Sequence, residues 1–141
     1  MARVFWDTNL FIYLFEQNAE WSPRVIDLRR RMVARGDELL TSLLTVGEVL
    51  TKPKQLNNAM LVKTYLNFFT GGSVELVAFG LDAAQRYGDI RSRARVQPAD
   101  AIQLACAAAA KTDLFVTNDN RLSALVIAGV TFVTGIERVP Y

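Results

Sequence analysis

The chain has 141 residues, of which 51% are apolar and 21% charged, and its 16 basic and 14 acidic residues leave a net charge of +2. This length and balance predict one globular domain over residues 1–141 with a core of its own. The absence of histidine excludes Ser-His-Asp and Cys-His catalysis, histidine-based RNA hydrolysis and histidine-bearing zinc sites. A single cysteine, Cys106, excludes an intramolecular disulfide. No apolar run is long enough to span a bilayer or to serve as a signal-peptide core, so we expect a cytoplasmic protein.

The first half of the chain alternates between short apolar segments and amphipathic ones. A β-favouring run ends at Asp7, and Thr8 and Asn9 are residue types that cap helices. Ser22-Pro23 is typical of a helix start and Gly36 of a helix end. The pattern predicts strands at 3–6 and 39–41, and helices at 10–17, 22–35 and 44–51, the last stopping before Pro53.

The second half continues this alternation. It predicts helices at 57–70, 82–95 and 98–111, and strands at 74–79, 114–116 and 130–133. The helix at 98–111 is apolar on nearly every side and is therefore predicted to be buried, with Cys106 as a small hydrophobic residue. Strands that alternate with helices predict an α/β fold with a mainly parallel sheet.

Basic residues form two clusters along the sequence, Arg29, Arg30, Arg31 and Arg35, and Arg86, Arg91, Arg93 and Arg95. Two such patches could guide a polyanion towards the protein. Solvated helix faces explain the same clusters, and the clusters alone favour that explanation.

Four acidic residues differ from the rest because each lies at a junction beside apolar sequence: Asp7, Glu48, Asp100 and Asp119. Each has a structural explanation when taken singly. Asp7 suits a helix cap, Glu48 completes a capping box that starts at Thr45, Asp100 suits the first turn of a helix, and Asp119 suits an Asx-turn. Considered together they indicate a site, because the ends of parallel strands and the starts of the helices that follow meet at one edge of the sheet.

Carboxylates gathered at one edge need a cation. Two of them at about 4 Å repel by about 4 kcal/mol at an effective dielectric near 20, and a divalent ion removes that cost. Oxygen-only ligands suit magnesium, with manganese as the alternative, and magnesium often takes a substrate phosphate as a further ligand. An acidic site without histidine or cysteine therefore indicates phosphate-ester chemistry.

At these residues the sequence resembles the PIN-domain nucleases, and among them the VapC-like toxins of bacterial toxin–antitoxin pairs. The order and spacing of the motifs carry the resemblance, which covers nearly the whole chain. The matching segments are Asp7-Thr8-Asn9, residues 42–48 ending in Glu48, residues 98–105 around Asp100, and residues 114–119 ending in Asp119. The resemblance implies a compact α/β/α sandwich.

The resemblance also implies metal-dependent hydrolysis of single-stranded or looped RNA. Asp7 and Asp100 would be the primary ligands of one or two magnesium ions, and Glu48 and Asp119 would bind the metal directly or through its water. Polar neighbours would orient the carboxylates or contact phosphate, namely Thr8, Asn9, Thr117 and Asn118. Ordinary helix capping explains Thr8 and Asn118 equally well. The family further implies a homodimer and an antitoxin partner that silences the enzyme, and a partner could cover the apolar helix at 10–15 if the core does not bury it.

Three other functions remain open at this point. A phosphatase of the haloacid-dehalogenase kind would need Asp-x-Asp after the first strand, whereas this chain has Asp7-Thr8-Asn9. A non-catalytic PIN-like module that only binds RNA or protein would be expected to lose some of the four acids, and this chain keeps them all. A PIN nuclease of RNA maturation or decay, rather than a toxin, fits the same motifs. The small size favours the toxin.

Overall fold

A computed structural model describes all 141 residues and contains one five-stranded sheet in which every neighbouring pair of strands is parallel. The strands lie in the order β3-β2-β1-β4-β5. Their bounds are β1 Arg3–Trp6, β2 Glu38–Ser42, β3 Glu75–Val77, β4 Thr112–Thr117 and β5 Val130–Gly135. The predicted α/β fold with a parallel sheet is confirmed.

Six α-helices connect or follow these strands, and a short 3-10 helix lies at Ile136–Arg138. Their bounds are α1 Thr8–Phe15, α2 Ser22–Arg35, α3 Leu43–Gln55, α4 Ala59–Thr70, α5 Leu81–Arg93 and α6 Pro98–Ala109. As predicted, α2 starts at Ser22-Pro23 and is ended by Gly36, which has the left-handed φ of 75° that glycine adopts without strain. None of the six combines the length and the apolar character that crossing a bilayer requires.

Helices cover both faces of the sheet, which makes the molecule an α/β/α sandwich with two cores. The alternation of side chains along each strand separates the cores: Val4 and Trp6 face one of them and Phe5 the other. The first core packs against α1 to α4, and its aromatic side chains include the stacked pair Phe15 and Tyr65, with ring centroids 4.6 Å apart. The second core packs against α5 and α6 and contains the buried alanines of α6.

Two local predictions were wrong. Helix α3 does not stop before Pro53 but continues to Gln55 with Pro53 buried inside it. Proline removes one backbone hydrogen bond, and that cost is offset by packing the buried ring near the end of the helix. Helix α1 begins at Thr8, so its N-cap is Asp7 and not Thr8 or Asn9.

The apolar side chains of α1 are accounted for mainly within the chain. Leu10 and Phe11 are buried, and the rings of Phe11 and Phe15 pack against Phe69 with centroids 5.2 and 5.9 Å apart. Because the aromatic contacts of α1 come from α4, from Trp6 and from Trp21, a second subunit is not needed to explain its composition.

Candidate functional site

The four predicted acids lie around the carboxyl edge of the sheet. The strand order reverses between β1 and β4, and in such folds ligands bind outside the carboxyl ends of the two strands at that switch point. Asp7 follows β1 directly, and Asp119 lies two residues after β4. Asp100 lies in the first turn of α6, and Glu48 lies in α3, which follows β2.

Asp7 is the buried member of the group, with 7% of its surface exposed. Its carboxylate accepts hydrogen bonds from the Thr8 amide at 2.9 Å and from the Thr117 hydroxyl at 2.7 Å. Burial raises the pKa of Asp7 most, the negative charges of Asp100 and Glu48 add to the rise, and the two hydrogen bonds oppose it, which leaves the pKa at about 6. The charged form of Asp7 is therefore costly unless a cation lies beside it.

Asp100 is half-buried, and no hydrogen bond contributes to its pKa. Burial raises the pKa of Asp100 most, the charges of Asp119 and Glu48 add to the rise, and the positive charge of Arg121 opposes it. Its position in the first turn fits a stabilising interaction with the helix dipole. The Asp100 carboxylate remains free to bind a ligand, because no protein group forms a hydrogen bond or an ion pair with it.

Glu48 and Asp119 have different surroundings. Glu48 is exposed, and its Oε1 accepts a hydrogen bond from the Thr8 hydroxyl at 2.6 Å. The capping-box explanation for Glu48 is wrong, because the N-cap of α3 is Ser42, three residues before Thr45. Asp119 forms an ion pair with Arg121 at 2.5 Å, and the Arg121 side chain holds the pKa of Asp119 below its usual value.

The predicted polar neighbours divide into two pairs. Thr8 and Thr117 donate directly to the carboxylates of Glu48 and Asp7. Asn9 instead accepts a hydrogen bond from the Asn118 amide at 3.4 Å, and the Asn118 side chain donates to the Tyr13 hydroxyl at 3.0 Å. The two asparagines therefore connect α1 to the loop after β4 and contact none of the four acids through their side chains.

Asp119 also forms the Asx-turn that its sequence context suggested. The Arg121 amide donates to Asp119 Oδ1 at 3.0 Å, and the Asp119 amide donates to the Thr117 hydroxyl at 3.0 Å. The turn and the site are compatible, because the turn holds the Asp119 carboxylate after β4, where its charge acts on Asp100.

Acids at the opposite, amino-terminal edge of the sheet have polar partners within the chain. The Arg3 guanidinium contacts Glu38 at 2.5 Å and Glu75 at 2.9 Å, and the Arg3 backbone amide donates to Asp113 at 2.8 Å. Asp37, which precedes β2, pairs with Arg35 at 3.0 Å. Of the four predicted acids at the carboxyl edge, only Asp119 forms an ion pair, which leaves three of them without a cationic partner.

The donor set fits a hard divalent cation. Repulsion couples Asp7 to Asp100 and to Glu48, and couples Asp100 to Asp119, so a positive ion among them would be stabilised. As they stand, no three acidic side chains are close enough to hold an ion between them. Magnesium usually keeps several waters and takes only one or two protein carboxylates, so it would not need three of these acids at once.

Two residues of this edge have no role in the sequence-based predictions. Gln103 is buried in α6 and hydrogen-bonds to Ser42, Thr8 and Thr45. A long polar side chain three residues after Asp100, in an otherwise apolar helix, is the signal that identifies it. Arg121 gives no comparable signal, because its contact with Asp119 depends on the turn after β4.

Several arginines of the two clusters pair with acids of their own helix. Arg30 and Arg31 lie near Asp27 of α2, and Arg86 pairs with Asp82 of α5. Arg29 differs, because it is half-buried and its Nη1 has no hydrogen-bond partner. Cys106 is fully buried, and burial raises the pKa of its thiol to about 11, which makes it a poor nucleophile.

A doubly wound parallel sheet with an acidic group at its switch point defines a class of α/β domain suited to metal and phosphate ligands. The model of the PIN domain family matches residues 4–127. The chain therefore belongs to the PIN-domain family, a family of nucleases, and the resemblance found in the motifs is confirmed. No curated protein sequence matches the chain.

Solved structures of toxin–antitoxin systems share the fold. The VapBC2 complex of Rickettsia felis, bound to a DNA fragment from its promoter, matches with a TM-score of 0.74 and 14% identity over 94% of this chain and 97% of that one. DNA-bound VapBC of Salmonella typhimurium matches with a TM-score of 0.68 and 20% identity over 96% and 99%. VapC20 of Mycobacterium tuberculosis, a sarcin–ricin loop cleaving toxin, matches with a TM-score of 0.61 and 15% identity over 79% and 86%.

Proposed function

We propose that this chain is a magnesium-dependent endoribonuclease and the toxin of a VapBC-type toxin–antitoxin pair, with manganese as the alternative ion. The observation that carries the proposal is the contrast between the two edges of the sheet. Arg3 and Arg35 pair with acids of the amino-terminal edge, whereas Asp7, Glu48 and Asp100 form no ion pair at the switch point. Three acids without a cationic partner at the ligand-binding edge of the sheet support a site for a cation.

Each acid has a distinct part in the proposed site. Asp7 and Asp100 bind the metal, because burial makes their charged forms costly without it. Glu48 and Asp119 bind it directly or orient its waters. Thr117 and Thr8 hold the carboxylates of Asp7 and Glu48 by hydrogen bonds. Bound magnesium would supply Lewis acidity towards the scissile phosphate and lower the pKa of an attacking water.

A polar cavity of about 360 Å³ beside Asp119 supports a nucleic-acid substrate. Asn118 and Asn120, the two neighbours of Asp119, line it together with Trp21 and Arg138. Amide groups, an aromatic ring and a guanidinium are the groups with which proteins hold unpaired RNA bases and phosphates. A strand whose scissile phosphate lies at the acids would therefore have its next nucleotide at this cavity.

The proposed partners are an antitoxin and a second copy of the chain. The similarity in fold to proteins solved as toxin–antitoxin complexes supports the antitoxin. Co-expression with the product of a small adjacent gene should yield a stable complex, and light scattering of the free chain should give twice its mass of 15.7 kDa. A PIN nuclease of RNA maturation would give no such complex.

Cleavage of a mixture of ribosomal and transfer RNA by the purified protein tests the proposal. We expect cutting with magnesium or manganese, none with chelator, and products that carry 5′-phosphates. Absence of cutting, together with absence of magnesium binding by calorimetry, would refute the nuclease and favour a module that only binds RNA or protein.

Arg121→Gln separates a metal-binding Asp119 from a purely structural one. Because Arg121 occupies the Asp119 carboxylate, its removal should strengthen magnesium binding severalfold if Asp119 binds the metal. Calorimetric titration without RNA measures this, with Arg138→Gln as a control that changes the net charge equally. Equal or weaker magnesium binding in Arg121→Gln would mean that Asp119 forms its turn and does not bind the metal.

A further inference from the structure

The buried amide of Gln103 joins three elements behind the acidic edge. With 1% of its surface exposed, it reaches from α6 to Thr8 of α1, to Ser42 at the end of β2 and to Thr45 of α3. Its three heavy-atom distances to hydroxyl oxygens are short: Oε1 lies 2.5 Å from Ser42, and Nε2 lies 2.9 Å from Thr8 and 2.7 Å from Thr45. Every hydrogen-bonding proton of this side chain therefore has a partner.

Counting protons fixes the orientation of the amide. The hydroxyl of Thr8 has one proton, and the 2.6 Å contact with Glu48 requires it, because a carboxylate only accepts. Thr8 must then accept from Gln103, so the NH₂ group of Gln103 faces Thr8. The reversed amide would place two oxygens 2.9 Å apart with no proton between them.

The same count of protons indicates how the Gln103 amide directs the Thr8 hydroxyl. The Thr8 hydroxyl lies 3.1 Å from the Thr45 hydroxyl, which offers it a second acceptor. One N–H of Gln103 occupies a lone pair of Thr45 and the other a lone pair of Thr8, and both bonds favour the arrangement in which the Thr8 proton points to Glu48. Without Gln103, the Thr8 hydroxyl could donate to Thr45 instead.

Glu48 depends on this hydroxyl because it has no other anchor. Its side chain is exposed, and the Thr8 bond is the one hydrogen bond or ion pair that the Glu48 carboxylate forms in the structure. A free glutamate side chain samples many rotamers and loses conformational entropy when it is fixed. A directed hydrogen bond at 2.6 Å compensates for part of that loss.

We infer that Gln103 is a positioning residue, which directs the Thr8 hydroxyl to Glu48 and so holds the Glu48 carboxylate ready at the acidic edge. The inference rests on the proposed function in that Glu48 is placed at a metal site. It assigns Gln103 no contact with substrate or metal.

Magnesium titration without RNA tests the inference through Gln103→Met, which keeps the length of the side chain and removes its hydrogen bonds. Loss of a residue that orients a metal ligand typically costs about 10- to 100-fold in affinity, and we expect the lower end, about tenfold. Thr8→Val should have a similar effect, and Thr8→Ser should restore wild-type affinity because it keeps the hydroxyl. The double variant of Gln103→Met and Thr8→Val should bind no more weakly than Thr8→Val alone.

Cys106→Ala provides the matched control, because Cys106 is buried on the same helix and lies outside the hydrogen-bonded network. It should lower the unfolding temperature without changing magnesium affinity. Wild-type affinity in Gln103→Met would overturn the inference. Losses that multiply in the double variant would also overturn it, because Gln103 would then act independently of Thr8.

A wild-type protein that binds neither magnesium nor manganese would refute the proposed function, and the inference would then be decided on metal-free protein. Crystal structures of the wild type and of Gln103→Met give that answer. We expect the contact between Thr8 and Glu48 in the wild type and its loss in the variant. A contact that persists in Gln103→Met would overturn the inference independently of any metal.

Discussion

Asp100→Asn is expected to lower RNA cleavage by more than about 100-fold, the upper range for a residue that only orients a metal ligand. The physical reason is that Asp100 is half-buried and carries no hydrogen bond or ion pair that would compete with a metal ion. Asparagine keeps the shape of the side chain and offers a neutral oxygen, which attracts a divalent cation far less than a carboxylate does. Cleavage of mixed RNA at saturating magnesium measures the loss.

The same substitution should leave the fold intact. Burial and the charges of Asp119 and Glu48 raise the pKa of Asp100, so its ionised form destabilises the metal-free protein near neutral pH. Asparagine removes that charge, and we expect an unfolding temperature at pH 7 equal to or above that of the wild type. Unfolding of Asp100→Asn would instead show that the carboxylate serves the helix dipole of α6.

Asp113→Asn is the matched control for this experiment. Asp113 lies at the amino-terminal end of β4, where its carboxylate accepts a hydrogen bond from the Arg3 amide. The variant should retain wild-type cleavage, because it changes the edge of the sheet opposite the site. Loss of cleavage in Asp113→Asn, with full cleavage in Asp119→Asn, would contradict the assignment of the site to the carboxyl edge.

Features of the fold that depend on local sequence were predictable. The apolar run before Asp7, the Ser22-Pro23 start and the Gly36 end of α2 each have a strong local cause, and the structure contains all three. The extent of α3 was not predictable in this way. Pro53 signals a helix end locally, but burial of its ring favours continuation, and burial depends on residues distant in sequence.

The candidate site was likewise predictable where it depends on local sequence and not where it depends on distant contacts. The four acids were identified because each interrupts apolar sequence at a predicted junction, and the parallel sheet brings such junctions to one edge. Thr8 and Thr117 were expected to orient carboxylates, but the acid that each one reaches was not predictable, nor was Gln103. Thr117 reaches Asp7, Thr8 reaches Glu48 and Gln103 reaches Thr8 across 110, 40 and 95 residues of sequence. The order of the strands determines those contacts, and one sequence does not contain that order in any local pattern.

Asp7→Asn is expected to stabilise the metal-free protein by up to about 3 kcal/mol above pH 6. The value follows from a pKa of about 6 for Asp7 in the folded protein against an ordinary pKa of 3.8 in the unfolded chain, at about 1.36 kcal/mol for each pKa unit. Asparagine fits the position, because its oxygen can accept from the Thr8 amide and its NH₂ group can donate to the Thr117 hydroxyl.

The sign of the pH dependence follows from which state holds the proton. Below about pH 3.8 the folded and unfolded chains both keep Asp7 protonated, and between about pH 3.8 and pH 6 only the folded chain does. Stability contributed by the protonated form therefore declines as the pH rises through this window and is lost above it. Subtracting the denaturation curve of Asp7→Asn from that of the wild type isolates this contribution.

Magnesium should reverse the order of the two proteins if Asp7 binds the metal. An ion at 1,000 times its dissociation constant adds about 4.1 kcal/mol to the stability of a protein that binds it only when folded, which exceeds the cost of about 3 kcal/mol of the Asp7 charge. We expect this gain for the wild type and not for Asp7→Asn, in chemical denaturation at about pH 8 with and without magnesium. A wild type that stays less stable than Asp7→Asn at every magnesium concentration would mean that Asp7 is a buried helix cap whose charge has no bound cation to balance it.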